Sequence, residues 1–172
     1  MPTNLEFIKT ASTGSTSIFT VTDCFNAEYD IYKIYISDFD QVTSNTYTNM
    51  RLVDSSGNVI SDNEYGRGEQ QLAAYSAFEE RKNEPDDELF TRLNFNQGAA
   101  LGVGFVIMVY NPFSSSHFTR VTNHSVGFAE TVSSIGFRGV GIHKVQESIT
   151  GVSFHMDAGN IDSATIHVYG VT

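Results

Sequence analysis

The final segment of the chain, residues 159–172, reads GNIDSATIHVYGVT and decides the fold class. Its apolar side chains fall on every second position from Ile161 onward, and this alternation is typical of a strand with one buried face. Chain termini are normally the loosest part of a domain, so a terminal segment this regular is expected to be paired within a sheet. The pattern predicts that Ala164, Ile166 and Val168 point inward, whereas Thr165, His167 and Tyr169 point outward.

Other segments repeat the same period of two. YDIYKIYIS (residues 29–37) is apolar or aromatic on both faces, which favours a central or covered strand. Ser-Ser-Gly-Asn in NMRLVDSSGNVI (residues 49–60) predicts a hairpin with positive φ at Gly57. Many short strands separated by turns indicate an all-β fold, an antiparallel, jelly-roll-like β-sandwich, which we expect to be a single domain over residues 1–172. The predicted core is Ile34, Ile36, Leu52, Phe105, Ile107, Val109, Phe154, Ile166 and Val168.

One stretch departs from this pattern. GRGEQQLAAYSAFEERKNEPDDELF (residues 66–90) spaces its apolar residues as a helix would, although the stripe is weak. We therefore expect a short helical or irregular excursion near residues 67–88. Its acidic part, NEPDDEL (residues 83–89), lacks the ligand spacing and central glycine of a calcium loop, which favours a solvated charged loop over a calcium site.

Composition excludes several classes of function. The chain of 172 residues has 20 acidic and 10 basic residues, a net charge of -10 that speaks against binding nucleic acid through its phosphates. No apolar run approaches the length of a membrane span, so no membrane partner is expected. The N-terminal ten residues do not resemble a signal peptide. The lone Cys24 excludes an internal disulfide and suits a reducing compartment such as a bacterial cytoplasm.

Candidate catalytic and metal-ligating residues are scattered. The five histidines lie far apart in the sequence, although His155 and His167 both point away from the predicted core on what we take to be neighbouring strands. They are expected to meet across a sheet in surface or inter-subunit hydrogen bonds rather than in a metal site. No GxSxG motif is present. The sequence therefore predicts no catalytic, cofactor-binding or metal-binding residues, no cofactor and no enzymatic activity.

Three stretches together resemble a known family: FTVTDCFNAEYDIYKIYIS (residues 19–37), MRLVDSSGNVI (50–60) and SITGVSFHMDAGNIDSATIHVYGV (148–171). They are similar to small β-sandwich structural proteins of tailed bacteriophage virions, common among marine and cyanobacterial phages. In that family a strand of the form sGt…lYGi closes the sandwich, and Ala164 stands where the family usually has glycine. The resemblance implies a non-enzymatic virion protein, exposed as a head decoration or tail-associated subunit and made in the bacterial host cytoplasm. It supplies no catalytic residues.

The resemblance also suggests partners, which are other phage virion proteins of the capsid or tail. Apolar residues in YDIYKIYIS and in AAYSAF (residues 73–78) exceed what one thin core requires, which favours a homo-oligomer, with a trimer suggested by family analogy. A monomer that becomes ordered on docking is the other possibility. The alternative function is a carbohydrate-binding module that recognises a host surface glycan, because eight tyrosines and thirteen phenylalanines could stack on sugar rings. A third hypothesis is an enzyme such as a depolymerase.

Overall fold

A computed structural model describes residues 4–43, 46–91, 102–129 and 133–172, and this part of the chain consists of strands and their connections, without a helix. Within it, no helix is long and apolar enough to cross a membrane. The strands are β1 (Leu5–Thr13), β2 (Ile18–Val21), β3 (Ile31–Gln41), β4 (Thr48–Asp54), β5 (Tyr65–Ala73), β6 (Glu79–Asp86), β7 (Phe90–Thr91), β8 (Val103–Tyr110), β9 (Arg120–Ala129), β10 (Ser133–His143), β11 (Ile149–Met156) and β12 (Ile161–Val171).

The strands form two antiparallel sheets, which confirms the predicted β-sandwich. The larger sheet has eight strands in the order β1-β12-β3-β8-β9-β10-β5-β6, and the smaller has four in the order β2-β11-β4-β7. One turn matches its prediction in detail: Gly57 has a φ of 84°, and the amide of Asp54 donates to the carbonyl oxygen of Asn58 at 2.9 Å.

A single cluster of buried apolar residues draws on both sheets. Its largest fully buried side chains include Tyr32, Phe105 and Phe154, of which the first two come from the larger sheet and the third from the smaller. Every predicted core residue is buried, namely Ile34, Ile36, Leu52, Phe105, Ile107, Val109, Phe154, Ile166 and Val168.

The terminal strand β12 is locked in place because it is paired on both sides, with β1 and with β3. Its inward residues Ala164, Ile166 and Val168 are buried, as the alternation predicts. The edge of the sheet on this side is formed by the N-terminal strand β1, so both ends of the chain belong to one half of the larger sheet.

Residues 67–88 correct the sequence prediction, because they form a β-hairpin and not a helical or irregular excursion. Strand β5 pairs along its whole length with β10 and also pairs with β6, so its backbone groups are satisfied by strands distant in sequence. The acidic part is not simply a solvated loop either. Asp86 is buried and forms a short ion pair with Arg67, which also bonds Glu69 at 2.8 Å.

Candidate functional site

The main candidate for a functional surface is the side of the larger sheet that faces away from the core, which we call the outer face. On the five strands β3, β8, β9, β10 and β5, the strand register aligns the outward residues in rows that run across the sheet. The rows are Ile31, Tyr110, Arg120, Ile142 and Gly66; Lys33, Met108, Thr122, Val140 and Gly68; Tyr35, Val106, His124, Arg138 and Gln70; and Gly104, Val126, Gly136 and Leu72.

Glycines on the outer face leave low positions next to protruding valine side chains. Val126 lies between Gly104 and Gly136 on the neighbouring strands, and Val140 lies between Thr122 and Gly68. With a glycine on one or both sides, the two valines stand above the sheet and are 64% and 60% exposed. Val106 and Leu72 on the same face are each 36% exposed as well, and an exposed apolar patch of this kind is a candidate for an interaction surface.

Two open grooves meet on the outer face at His124. The first has a volume of about 580 Å³, and its lining includes Gln70, Thr122 and Arg138. The second has a volume of about 330 Å³, and its lining is largely apolar and includes Tyr35. A ligand lying across the strands would therefore meet hydrogen-bonding groups at one end and an aromatic ring at the other.

The charge of the outer face is opposite to that of the chain as a whole. Lys33, Arg120 and Arg138 lie in its rows, and none of the row positions carries a carboxylate. The whole chain has a net charge of -10. Acidic residues lie at its rim, where Glu80 on the edge strand β6 pairs with Gln70 in the register and Asp30 lines the same groove as Arg120. Within the rows, the face therefore offers cations without carboxylates to an anionic ligand or partner.

Local contacts hold two of these cations in place. The Nε and Nη2 groups of Arg138 both donate to the side-chain oxygen of Gln70, at 2.8 and 2.5 Å. The ammonium group of Lys33 lies 4.7 Å from the ring centroid of Tyr35. Neither contact neutralises the cation, because the partners are an amide and an aromatic ring. Both charges remain available to a ligand.

The structure does not bring His155 and His167 together, which corrects the sequence interpretation. His155 lies on β11 in the smaller sheet, where its Nε2 is 2.7 Å from Oε1 of Glu88. His167 lies on β12 in the larger sheet, where its Nδ1 is 2.8 Å from the hydroxyl of Thr10. The two strands are consecutive in sequence but belong to different sheets.

The acidic segment 83–89 uses its carboxylates in ion pairs. Nη2 of Arg51 lies 2.5 Å from Oδ2 of Asp87 and 3.5 Å from Oε1 of Glu88. Lys144 Nζ lies 3.2 Å from Oε1 of Glu84. These contacts tie the end of the β5–β6 hairpin to both sheets, and they favour a structural role for the segment over calcium binding.

The outer face could not be predicted from the sequence. Its signal is present in RVTNHSVGF (residues 120–128) and SSIGFRGVGIH (133–143), where polar, basic and apolar residues alternate with buried ones. The alternation of each strand shows which residues face outward. Which of them become neighbours depends on the register of five strands, and this cannot be read from any one of them.

Comparisons with known proteins leave the family open. No protein-family model and no curated protein matches the chain. Solved structures with some likeness include a legume lectin-like domain from Entamoeba histolytica (9% identity, 98% of this chain and 85% of that one, TM-score 0.22). A second is the protein BuGH16Bwt (9% identity, 99% of this chain and 73% of that one, TM-score 0.25). A third is infectious bursal disease virus, Gt strain (9% identity, 95% of this chain and 42% of that one, TM-score 0.19). At these TM-scores the likenesses carry no argument about function.

Proposed function

We propose that this chain is a non-enzymatic structural protein of a tailed bacteriophage virion, exposed on the particle as a head decoration or a tail-associated subunit. The observation that carries the proposal is the outer face, a positively charged and partly apolar surface on an acidic chain. Such a surface suits docking to an acidic partner. The similarity of three sequence stretches to phage β-sandwich proteins indicates that the partner is another virion protein.

The size of the outer face fits this role. Five strands about 4.8 Å apart and four rows about 6.8 Å apart cover about 650 Å². A stable protein interface buries about 800 Å² on each partner, so the outer face together with its rim is large enough. The exposed Val126 and Val140 would supply the dehydrated centre of the interface, and Lys33, Arg120 and Arg138 would select an acidic surface.

The test begins with mass spectrometry of purified particles, which should contain the chain in many copies. Particles that lack the protein should then bind it when it is added back. Val140→Asp places a carboxylate at the centre of the outer face and should abolish this binding. Val42→Asp is the matched control, because Val42 is also exposed but lies outside the rows, and this variant should bind normally. Absence of the chain from particles, or equal binding by both variants, would reject the proposal.

Assembly of the free protein is a separate part of the proposal. Tyr75 and Phe78 in the connection between β5 and β6 are both exposed, and they offer an apolar contact between copies. We expect a homo-oligomer, with a trimer suggested by family analogy, or a monomer that becomes ordered on docking to the capsid or tail. Light scattering over a dilution series distinguishes the two. A monomer at every concentration with no affinity for depleted particles would contradict both.

The grooves support a second candidate, a carbohydrate-binding protein that recognises an acidic glycan of the host surface. The groove of about 580 Å³ is lined by Arg138, Thr122 and Glu80, and the neighbouring groove contains Tyr35. A guanidinium group binds a sugar carboxylate, and an aromatic ring packs on the apolar face of a sugar. A glycan array should then show saturable binding to acidic glycans. Loss of binding in both Arg138→Gln and Tyr35→Ala, with particle docking intact, would favour this candidate over the first.

A further inference from the structure

A second feature, separate from the outer face, lies where β10 ends. The side chains of Glu64, His143 and Glu147 place three possible ligand atoms within 4.8 Å of one another. We propose that these three residues bind a divalent transition-metal ion of the zinc class. This inference does not depend on the proposed function, and it concerns residues that sequence analysis left unassigned.

The fold explains why the three residues meet. His143 is the last residue of β10 and pairs with Tyr65, the first residue of β5, so Glu64 arrives beside it from the preceding connection. The amide of Lys144 donates to the carbonyl oxygen of Glu64 at 2.8 Å, which fixes the two backbones to each other. Glu147 follows His143 by four residues, in the loop before β11.

The imidazole of His143 is held in a fixed orientation. It is fully buried, and its ring packs on the ring of Tyr65 with the centroids 5.1 Å apart. The Tyr65 hydroxyl is itself anchored, because it accepts from the Leu52 amide and donates to the Ile60 carbonyl, both at 3.1 Å. Burial and packing on Tyr65 therefore hold the Nε2 edge of the imidazole facing the two carboxylates.

The distances are close to those of a metal site. Nε2 of His143 lies 2.8 Å from Oε1 of Glu147 and 4.0 Å from Oε2 of Glu64. Tetrahedral zinc with bonds of about 2.0–2.1 Å separates its ligand atoms by about 3.3 Å. Both carboxylates are about one-third exposed, at 34% and 35% for Glu147 and Glu64, so small rotations can reach this geometry. The same exposure leaves room for water as a further ligand.

The charges around the cluster also favour a cation. Two carboxylates converge there, and the nearest lysine in sequence, Lys144, is paired with Glu84. Arg67 of the neighbouring hairpin is also committed, since it pairs with Glu69 and Asp86. A divalent ion bound to Nε2 would take the place of a proton at this nitrogen and would neutralise the two carboxylates. The proton of the neutral ring would then lie on Nδ1, which is buried without a hydrogen-bond partner among the described residues.

The ligand atoms indicate which ion binds. One imidazole nitrogen with two carboxylate oxygens suits zinc and neighbouring first-row ions, whereas calcium and magnesium prefer sites made of oxygen alone. The site is built from three protein ligands with an open side. It is therefore expected to bind reversibly and to resist chelation less well than a closed four-ligand site.

Isothermal titration of the chelator-treated full chain with zinc chloride tests the proposal. We expect one saturable site for Zn²⁺ and none for Ca²⁺. Glu64→Gln and Glu147→Gln should each weaken zinc binding about tenfold or more. Glu79→Gln is the matched control, because it removes an exposed carboxylate that pairs with Arg81 and lies outside the cluster, and its affinity should equal that of the parent chain.

Circular dichroism of each variant without metal checks that the variant is folded, so that a loss of affinity is not caused by unfolding. We expect both variants to fold, since the substituted glutamates are partly exposed. The parent chain should also show a rise in melting temperature with Zn²⁺ that Glu147→Gln lacks. Absence of saturable zinc binding to the parent chain would overturn the proposal. So would equal loss of affinity in Glu79→Gln and in the two ligand variants, or preference for Ca²⁺ over Zn²⁺.

Discussion

Ile107→Ala tests the architecture of the larger sheet. Ile107 lies on the central strand β8 and is 1% exposed, between Ile34 on β3 and Asn123 on β9. The substitution removes three carbon groups, which at about 0.8 kcal/mol each corresponds to about 2.4 kcal/mol of lost burial. The cavity left behind raises the expected loss of unfolding free energy to roughly 2–5 kcal/mol.

Urea unfolding followed by circular dichroism measures this loss. In a thermal melt, the melting temperature should fall by about 2–4 °C for each kcal/mol of lost stability in a chain of this size. The matched control is Val106→Ala, one position along the same strand, where the side chain is 36% exposed on the outer face. Val106→Ala should lose much less unfolding free energy than Ile107→Ala. If the two variants were equally destabilised, or if Ile107→Ala cost no more than a surface change, the assigned inner face of β8 would be wrong.

Three further predictions follow from individual contacts. Gly151→Ala should strongly destabilise the smaller sheet in urea unfolding, because the new Cβ would lie 2.2 Å from the carbonyl oxygen of Val21; stability equal to the parent would contradict this packing. Burial raises the pKa of Cys24 to about 12, so a thiol reagent at about pH 8, near the ordinary thiol pKa, should label it only after unfolding, and fast native labelling would contradict the burial. Burial opposes ionisation of Asp86, but the hydrogen bond and charge of Arg67, with hydrogen bonds from Asn83 and the Asp87 amide, together lower the pKa of Asp86. The stability that Asp86 contributes is present above the ordinary aspartate pKa of about 3.9 and is lost as pH falls below it. In Asp86→Asn, the unfolding free energy should therefore decrease less steeply with falling pH below about 4. A decrease as steep as in the parent chain would refute the pairing.

The strand pattern and the core could be predicted from the sequence, because alternation along a strand directly encodes which side chains face inward. The faces of β3, β8 and β12 follow from YDIYKIYIS, GFVIMVYNP and the terminal segment without knowledge of their partners. The turn at Gly57 is likewise local, since four residues contain its signal.

Pairing between distant strands could not be predicted in this way. Leu72 and its neighbours are spaced as in a helix, yet β5 is a strand because β10 and β6 satisfy its backbone on both sides. His155 and His167 lie on consecutive strands, but β11 and β12 enter different sheets. The outer face and the cluster around His143 also depend on pairing, although the spacing of His143 and Glu147 in HKVQE is a local signal for part of the cluster.

Zero-length cross-linking of amines to carboxylates in purified particles, followed by mass spectrometry, tests most directly whether the outer face docks on an acidic virion protein. Lys33 lies in a row of the outer face, whereas Lys144 lies outside the rows and is paired with Glu84 within the chain. The account predicts that Lys33 is joined to aspartate or glutamate residues of another virion protein, and that Lys144 is joined mainly to its own chain. Particles without this chain, or particles in which Lys33 forms no link to another protein while Lys144 does, would contradict it.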